Sequence, residues 1–157
     1  MLKRFRVIPD DKAALGDHTA TVRRRILIVD DHDGFRAVAR AMLQAEGFEV
    51  VGEASDGGSA MSAAALLQPN IVLLDVHLPD RDGFAVSEEL AALPAPPVVV
   101  LISSRELGDV RKRVEASPVA GFIPKDELSA SSLTALTGGA RNATVADSPR
   151  WVRGGQQ

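Results

Sequence analysis

Apolar positions gather into five short runs, at residues 26–29, 49–52, 71–74, 98–102 and 121–123. The runs are rich in β-branched residues and nearly continuous rather than alternating, which is the pattern of strands covered on both faces. Between them the spacing becomes helical. Phe35, Val38, Ala39, Met42 and Leu43 fall at i, i+3, i+4, i+7 and i+8, one apolar face of a helix that Gly47 should stop. The Ala-rich stretch 59–67 is closed by Pro69. Residues 84–93 put Val86, Leu90 and Leu93 on one side and end at Pro94. Residues 105–116 make a weaker helix, with Gly108 inside and only Leu107, Val110 and Val114 to bury, and 128–136 is short and rich in Ser and Thr.

Strand and helix thus alternate five times, which predicts an α/β fold with a parallel sheet covered by helices on both faces. Residues 1–24 mix charges with Pro9 and Gly16 and read as a mobile arm, and 138–157 read as a flexible tail. That leaves one domain at 25–137. In such sheets ligands bind beyond the carboxyl ends of the strands. Asp30 and Asp31 stand after the first run, Asp75 after the third, Ser103 and Ser104 after the fourth, and Lys125 after the fifth. Three carboxylates, a hydroxyl and an amine should meet at one edge.

Composition narrows what that edge can do. The 157 residues include no cysteine, which excludes disulfides and thiol catalysis. A net charge of -3 and 4% aromatic residues argue against direct DNA binding by this chain and against stacking on single strands. No apolar run approaches a membrane span and the basic N-terminus lacks a secretory apolar stretch, so a cytoplasmic protein is expected. The clusters Arg23-Arg24-Arg25 and Arg111-Lys112-Arg113 read as solvated flanks.

Converging carboxylates repel, so one must be protonated or a cation must sit among them. Oxygen donors without cysteine or a paired-histidine spacing favour magnesium, completed by phosphate oxygens. A carboxylate there can attack a phosphoryl group, with an ammonium and a hydroxyl on the transferring oxygens. Lys125 and Ser103 fit those two roles.

Four segments carry a resemblance: Ile28-Val29-Asp30-Asp31-His32, Leu74-Asp75-Val76-His77-Leu78-Pro79-Asp80-Arg81-Asp82-Gly83, Leu101-Ile102-Ser103-Ser104 and Gly121-Phe122-Ile123-Pro124-Lys125. In order and spacing they resemble the receiver domain of two-component response regulators, of the CheY-like, NarL/FixJ type. The resemblance implies a flavodoxin-like five-stranded parallel sheet of order 2-1-3-4-5. It implies Asp75 as phosphoacceptor, Asp31 and Asp75 as direct magnesium ligands, Asp30 as a ligand through water, and the His77 backbone carbonyl completing the site. It also implies Ser103 as switch hydroxyl, Lys125 as the phosphate-pairing lysine and Phe122 as the aromatic that reports the state. A histidine kinase or phosphotransfer protein would be the donor. The chain would be no enzyme beyond magnesium-dependent self-phosphorylation and autodephosphorylation. Output would pass to a protein partner, with a homodimer through the last helix–strand–helix face as a further option.

Two departures stand out. Pro124 precedes Lys125, whereas the family often has proline after that lysine, and the residues beyond 137 are too few for a helix-turn-helix output module, so a stand-alone receiver is expected. Blander roles exist for each residue. Asp30 or Asp31 could cap the next helix, Ser103 or Ser104 could cap the helix starting near 105, Lys125 could be an ordinary surface lysine, Phe122 could be plain core, and His32 and His77 could be solvated loop residues. Two other functions compete: a phosphorylation-independent pseudo-receiver, and an aspartate-nucleophile phosphatase of the haloacid-dehalogenase type. The second expects an acid two residues after the nucleophile, where this chain has His77.

Overall fold

The computed structural model describes residues 5–9, 24–104 and 110–138. Within them run β1 (Phe5–Val7), β2 (Arg25–Val29), α1 (Asp33–Ala45), β3 (Glu49–Ala54), α2 (Gly57–Leu67), β4 (Ile71–Asp75), α3 (Gly83–Ala91), β5 (Val98–Ser103), α4 (Val110–Glu115), β6 (Gly121–Pro124) and α5 (Ala130–Thr137). The sheet order is β1-β3-β2-β4-β5-β6. The five strands from β2 to β6 are parallel and in the expected 2-1-3-4-5 arrangement.

The sixth strand corrects the expectation of a mobile arm over 1–24 at Phe5–Val7. β1 pairs antiparallel with β3, Phe5 opposite Ala54 and Val7 opposite Gly52, and the Ile8 N–H donates to the Val51 carbonyl at 2.9 Å. Three residues are too few to show an alternating pattern, and Val7 is half exposed. Gly52 makes room for the pairing, since a Cβ there would lie 2.8 Å from the Arg6 carbonyl oxygen and 2.8 Å from Leu67 Cδ1. Residues 10–23 and 139–157 lie outside the described residues.

The continuous apolar runs divide by the strand's period of two. Leu27, Val29, Val72, Leu74, Val99, Leu101 and Phe122 pack with α2, α3 and Val114 of α4 on one face. Ile26, Ile28, Ile71, Leu73, Val100, Ile102 and Ile123 pack with α1 and α5 on the other. Both faces are dry, which is why no strand alternates in sequence. The small residues Gly57, Ser59, Ala60, Ala63 and Ala64 are the buried side of α2 and let it lie close to the sheet. Among the described residues no helix is long and apolar enough to cross a membrane.

Helix ends follow their caps. Gly47, at φ +97°, ends α1 with its N–H on the Gln44 carbonyl. Asp56 with Ser59, and Ser129 with Ser132, form capping boxes that start α2 and α5. Two expectations need correction. Val38 is 68% exposed and lies off the buried face of α1, whose buried residues are Ala39 and Leu43. The Arg23-Arg24-Arg25 cluster is more than a solvated flank: Arg25 donates to the Leu67 and Gln68 carbonyls at the end of α2, and Arg24 donates to Thr137 Oγ1. Of the helix expected at 105–116, Val110–Glu115 is seen; 105–109 lie outside the described residues, so the capping role of Ser104 does too.

Candidate functional site

Strand register brings the chemistry to one edge. Asp75 ends β4 opposite Ile102, Ser103 ends β5 opposite Pro124, and Lys125 follows directly at the start of a 3-10 turn. Asp30 follows β2, its N–H on the Ala54 carbonyl of β3 at 3.0 Å. Asp30, Asp75 and Ser103 are all buried.

The titratable groups converge tightly. Lys125 Nζ lies 2.6 Å from Asp30 Oδ2 and 3.5 Å from Asp75 Oδ2. Phe35 stands under the ammonium, 4.8 Å from ring centre to Nζ. Ligand atoms of Asp30, Asp31, His32 and Asp75 all fall within 4.8 Å of one another. Burial and the charge of Asp30 push the Asp75 carboxyl above its ordinary value, against the His77 N–H bond and the Lys125 charge that pull it down. The His77 N–H donates to Asp75 Oδ1 at 3.1 Å.

Neither acid of the pair caps α1. The N-cap position is His32, without a side-chain cap bond, and Asp30 Oδ1 accepts from the His32 N–H at 2.8 Å in a local turn. The His32 ring is not simply in solvent either: Nδ1 lies 3.1 Å from Asp30 Oδ1 and 3.3 Å from Asp31 Oδ1, although the side chain is 68% exposed. His77 is exposed. Among the described residues Asp30 Oδ2 is buried with no aligned hydrogen bond, and the Lys125 ammonium lies against it at 2.6 Å. Clustered carboxylate oxygens, one of them without an aligned donor and another held toward its protonated form, fit a hard divalent cation. Phe122 is 1% exposed and packed among Leu101, Val114 and Val119, as a core aromatic would be.

The loop from β4 to α3 closes over Asp75. A Cβ on Gly83 would lie 2.4 Å from the Asp75 carbonyl oxygen, so only glycine allows this approach. Asp80 accepts from the Gly57 and Gly58 N–H groups at 2.7 and 3.0 Å, tying the loop to the start of α2. Burial pushes the Asp80 carboxyl up, but those two bonds, with its own backbone N–H and the Arg81 charge, hold it below the ordinary value. Asp82 caps α3 through the Phe84 N–H and also pairs with Arg113 of α4 at 2.8 Å, while Arg113 lies over the Phe84 ring at 4.1 Å.

Sequence reasoning does not single out Arg36 or Glu53, and it takes Arg113 only as part of a solvated basic cluster, whereas Arg113 pairs with Asp82. Glu53 carries a signal, a charged residue just past an apolar run, but the run reads as ending at Gly52.

The whole arrangement matches known proteins. Residues 26–137 match the response regulator receiver domain. The transcriptional regulatory protein PdtaR of Mycobacterium tuberculosis is 37% identical over 134 residues, 78% of this chain and 65% of that protein. The virulence factors putative positive transcription regulator BvgA of Bordetella pertussis is 35% identical over 103 residues, 66% of this chain and 49% of its own length. The chain therefore spans about half to two-thirds of these curated relatives. Among solved structures, the signal receiver domain of the response regulator NarL from Mycobacterium tuberculosis superposes with a TM-score of 0.65 at 28% identity, covering 80% of this chain and 99% of that one. With fold, edge chemistry and family match in agreement, the chain belongs to the response regulator receiver domain family.

Proposed function

We propose that this chain is a phosphoryl-accepting switch, with Asp75 as the acceptor. The observation that carries the reading is the Lys125 ammonium set between Asp30 and Asp75 at the end of the sheet. A partner histidine kinase or phosphotransfer protein presents phosphohistidine. An Asp75 carboxylate oxygen forms a bond to phosphorus as the phosphorus–nitrogen bond breaks, and the electron pair leaves with the imidazole, which takes up a proton. Lys125, 12% exposed, moves little to meet the charge on the transferring oxygens, and the Ser103 hydroxyl donates to one of them.

Asp31 and Asp75 directly, Asp30 through water and the His77 carbonyl would hold magnesium. When bound, magnesium supplies positive charge that lets the carboxylates and the phosphoryl oxygens share one small site. Ionised Asp75 is the nucleophile, and the His77 N–H and the Lys125 charge favour that form against the upward pull of burial and of Asp30. Chemistry is limited to gaining and losing this group. Output runs through the surface of α4, β6 and α5 to a protein partner, in the cytoplasm, without direct DNA contact by this chain. Phe122 of β6 lies in the same buried cluster as Val114 of α4 and is the aromatic through which the state would be felt.

The test is to incubate the protein with acetyl phosphate and magnesium and map the adduct by mass spectrometry. One phosphoryl group on Asp75, absent from Asp75→Asn, is the expected result. An undiminished adduct in Asp75→Asn would overturn the assignment. No adduct on the parent from any small donor would favour the phosphorylation-independent binding module.

A further inference from the structure

Both backbone groups of Asp30 are tied to the β3 side of the sheet. Its N–H donates to the Ala54 carbonyl at 3.0 Å, and its carbonyl accepts from Arg36 Nη1 at 2.5 Å. The same guanidinium donates through Nε to Glu53 Oε1 at 2.9 Å and through Nη2 to Asp33. Glu53 is 7% exposed and Arg36 13%, and Arg40 Nε lies 3.4 Å from the second oxygen of Glu53. One planar fork thus bridges the residue that follows β2, the first turn of α1 and Glu53, next to Gly52 on β3.

Such a fork has little freedom. Its three acceptors lie on three separate elements, and a guanidinium meets them only in one plane. Fixing the Asp30 carbonyl fixes the peptide that follows, whose turn aims the Asp30 carboxylate at Lys125 and sets Asp31 and His32 beside it. Stability alone does not require this. Apolar residues could replace Arg36 and Glu53 together, and a buried ion pair is weak evidence for stability.

We propose that Arg36, braced by Glu53, is a positioning residue for the Asp30–Asp31 acid pair. Its role is to hold the pair in the geometry that binds a divalent cation. The inference rests on reading the acid pair as a metal site.

Charge and geometry make opposite predictions here. Arg36 is a cation close to an acidic site, so losing its charge should by Coulomb attraction tighten magnesium binding. Losing its brace should weaken it. The test is a magnesium titration of the full chain followed by amide NMR, reading the His32 N–H that donates to Asp30, in parent, Arg36→Lys and Arg36→Gln. Arg36→Lys keeps the charge but cannot span three acceptors, and it is the milder change should Arg36→Gln fold poorly. The spectrum itself reports whether each variant is folded.

Magnesium affinity about tenfold weaker in both variants is expected, at the lower end of what partners behind metal ligands supply. Unchanged affinity in folded Arg36→Lys, or tighter binding in folded Arg36→Gln, would overturn the proposal. A parent that binds no magnesium would instead fail the metal reading itself, before any variant is compared.

Discussion

On the β3 side of Asp75 the site is held from within, while on the β5 side it is held from the surface. The inner support is the Arg36–Glu53 pair, with both side chains largely out of water and a hydrogen bond into the backbone of Asp30. The outer support is the Arg113–Asp82 pair, with side chains 55% and 41% exposed, and the contact of Arg113 with the Phe84 ring. Of the described residues of α4, only Val114 is buried. A buried pair resists disruption because a lone charge would be stranded, whereas an exposed pair is screened and easily exchanged for water. On the proposed reading a switch belongs on the lightly fastened side: the acid pair would stay put to bind and react, and α4 would be free to respond.

The largest expected effect falls on the inner side. Glu53→Ala strands Arg36 and Arg40 beside an emptied site and should cost about 3 kcal/mol, read by urea denaturation. A loss of only a few tenths, like that of a surface pair, would erase the contrast. The loop over Asp75 sits between the two regimes, because Asp80 fastens it to the backbone at the start of α2. Asp80→Ala should cost about 1 kcal/mol, the usual worth of an acceptor at a helix start. Its carboxyl is held below the ordinary value, so this contribution is present at neutral pH and is lost as pH falls through the lowered value. The parent and Asp80→Ala denaturation curves should therefore converge in acid, below 3.8.

Asp75 has the opposite sign. Burial raises its carboxyl first, with Asp30 adding to it, so the ionised form weighs against the fold as pH rises from 3.8 through the raised value. Asp75→Asn should melt a little higher than the parent at neutral pH and at the same temperature in strong acid. A lower melting temperature at neutral pH would show that the Lys125 pairing outweighs burial. The smallest effect belongs to the outer side: Arg113→Ala should cost roughly 0.5 kcal/mol, less at high salt, while speeding amide exchange across α4.

Much of this was open to a reader of the sequence. The parallel strands follow from the continuous apolar runs and the gathering of Asp30, Asp31, Asp75, Ser103 and Lys125 at one edge from what stands after each run, while the strand order comes only with the resemblance to the receiver family. What escaped reading depends on contacts between distant segments. β1 is three residues long and becomes a strand only because β3 offers an edge, with Gly52 giving the clearance. Val38 kept helical spacing with α1's apolar face yet faces water, because the helix buries a narrower stripe. Glu53 looks like the polar end of a strand until Arg36 of the preceding helix α1 reaches it. Arg113 sits in a basic cluster whose members look alike in sequence, and its pairing with Asp82 spans 31 positions.

The central claim, a phosphoryl switch on Asp75 that is read on the α4 side, is tested most directly by amide NMR with and without beryllofluoride and magnesium. Shifts should begin at Val76 and His77, run through Ser103 and Phe122, and be large across Val110–Glu115, while the buried middle of β3 and α1 changes little. Ser103→Ala should still bind beryllofluoride but lose most of the distal response. No change in α4, or a response concentrated around Glu53 and Arg36, would contradict the account.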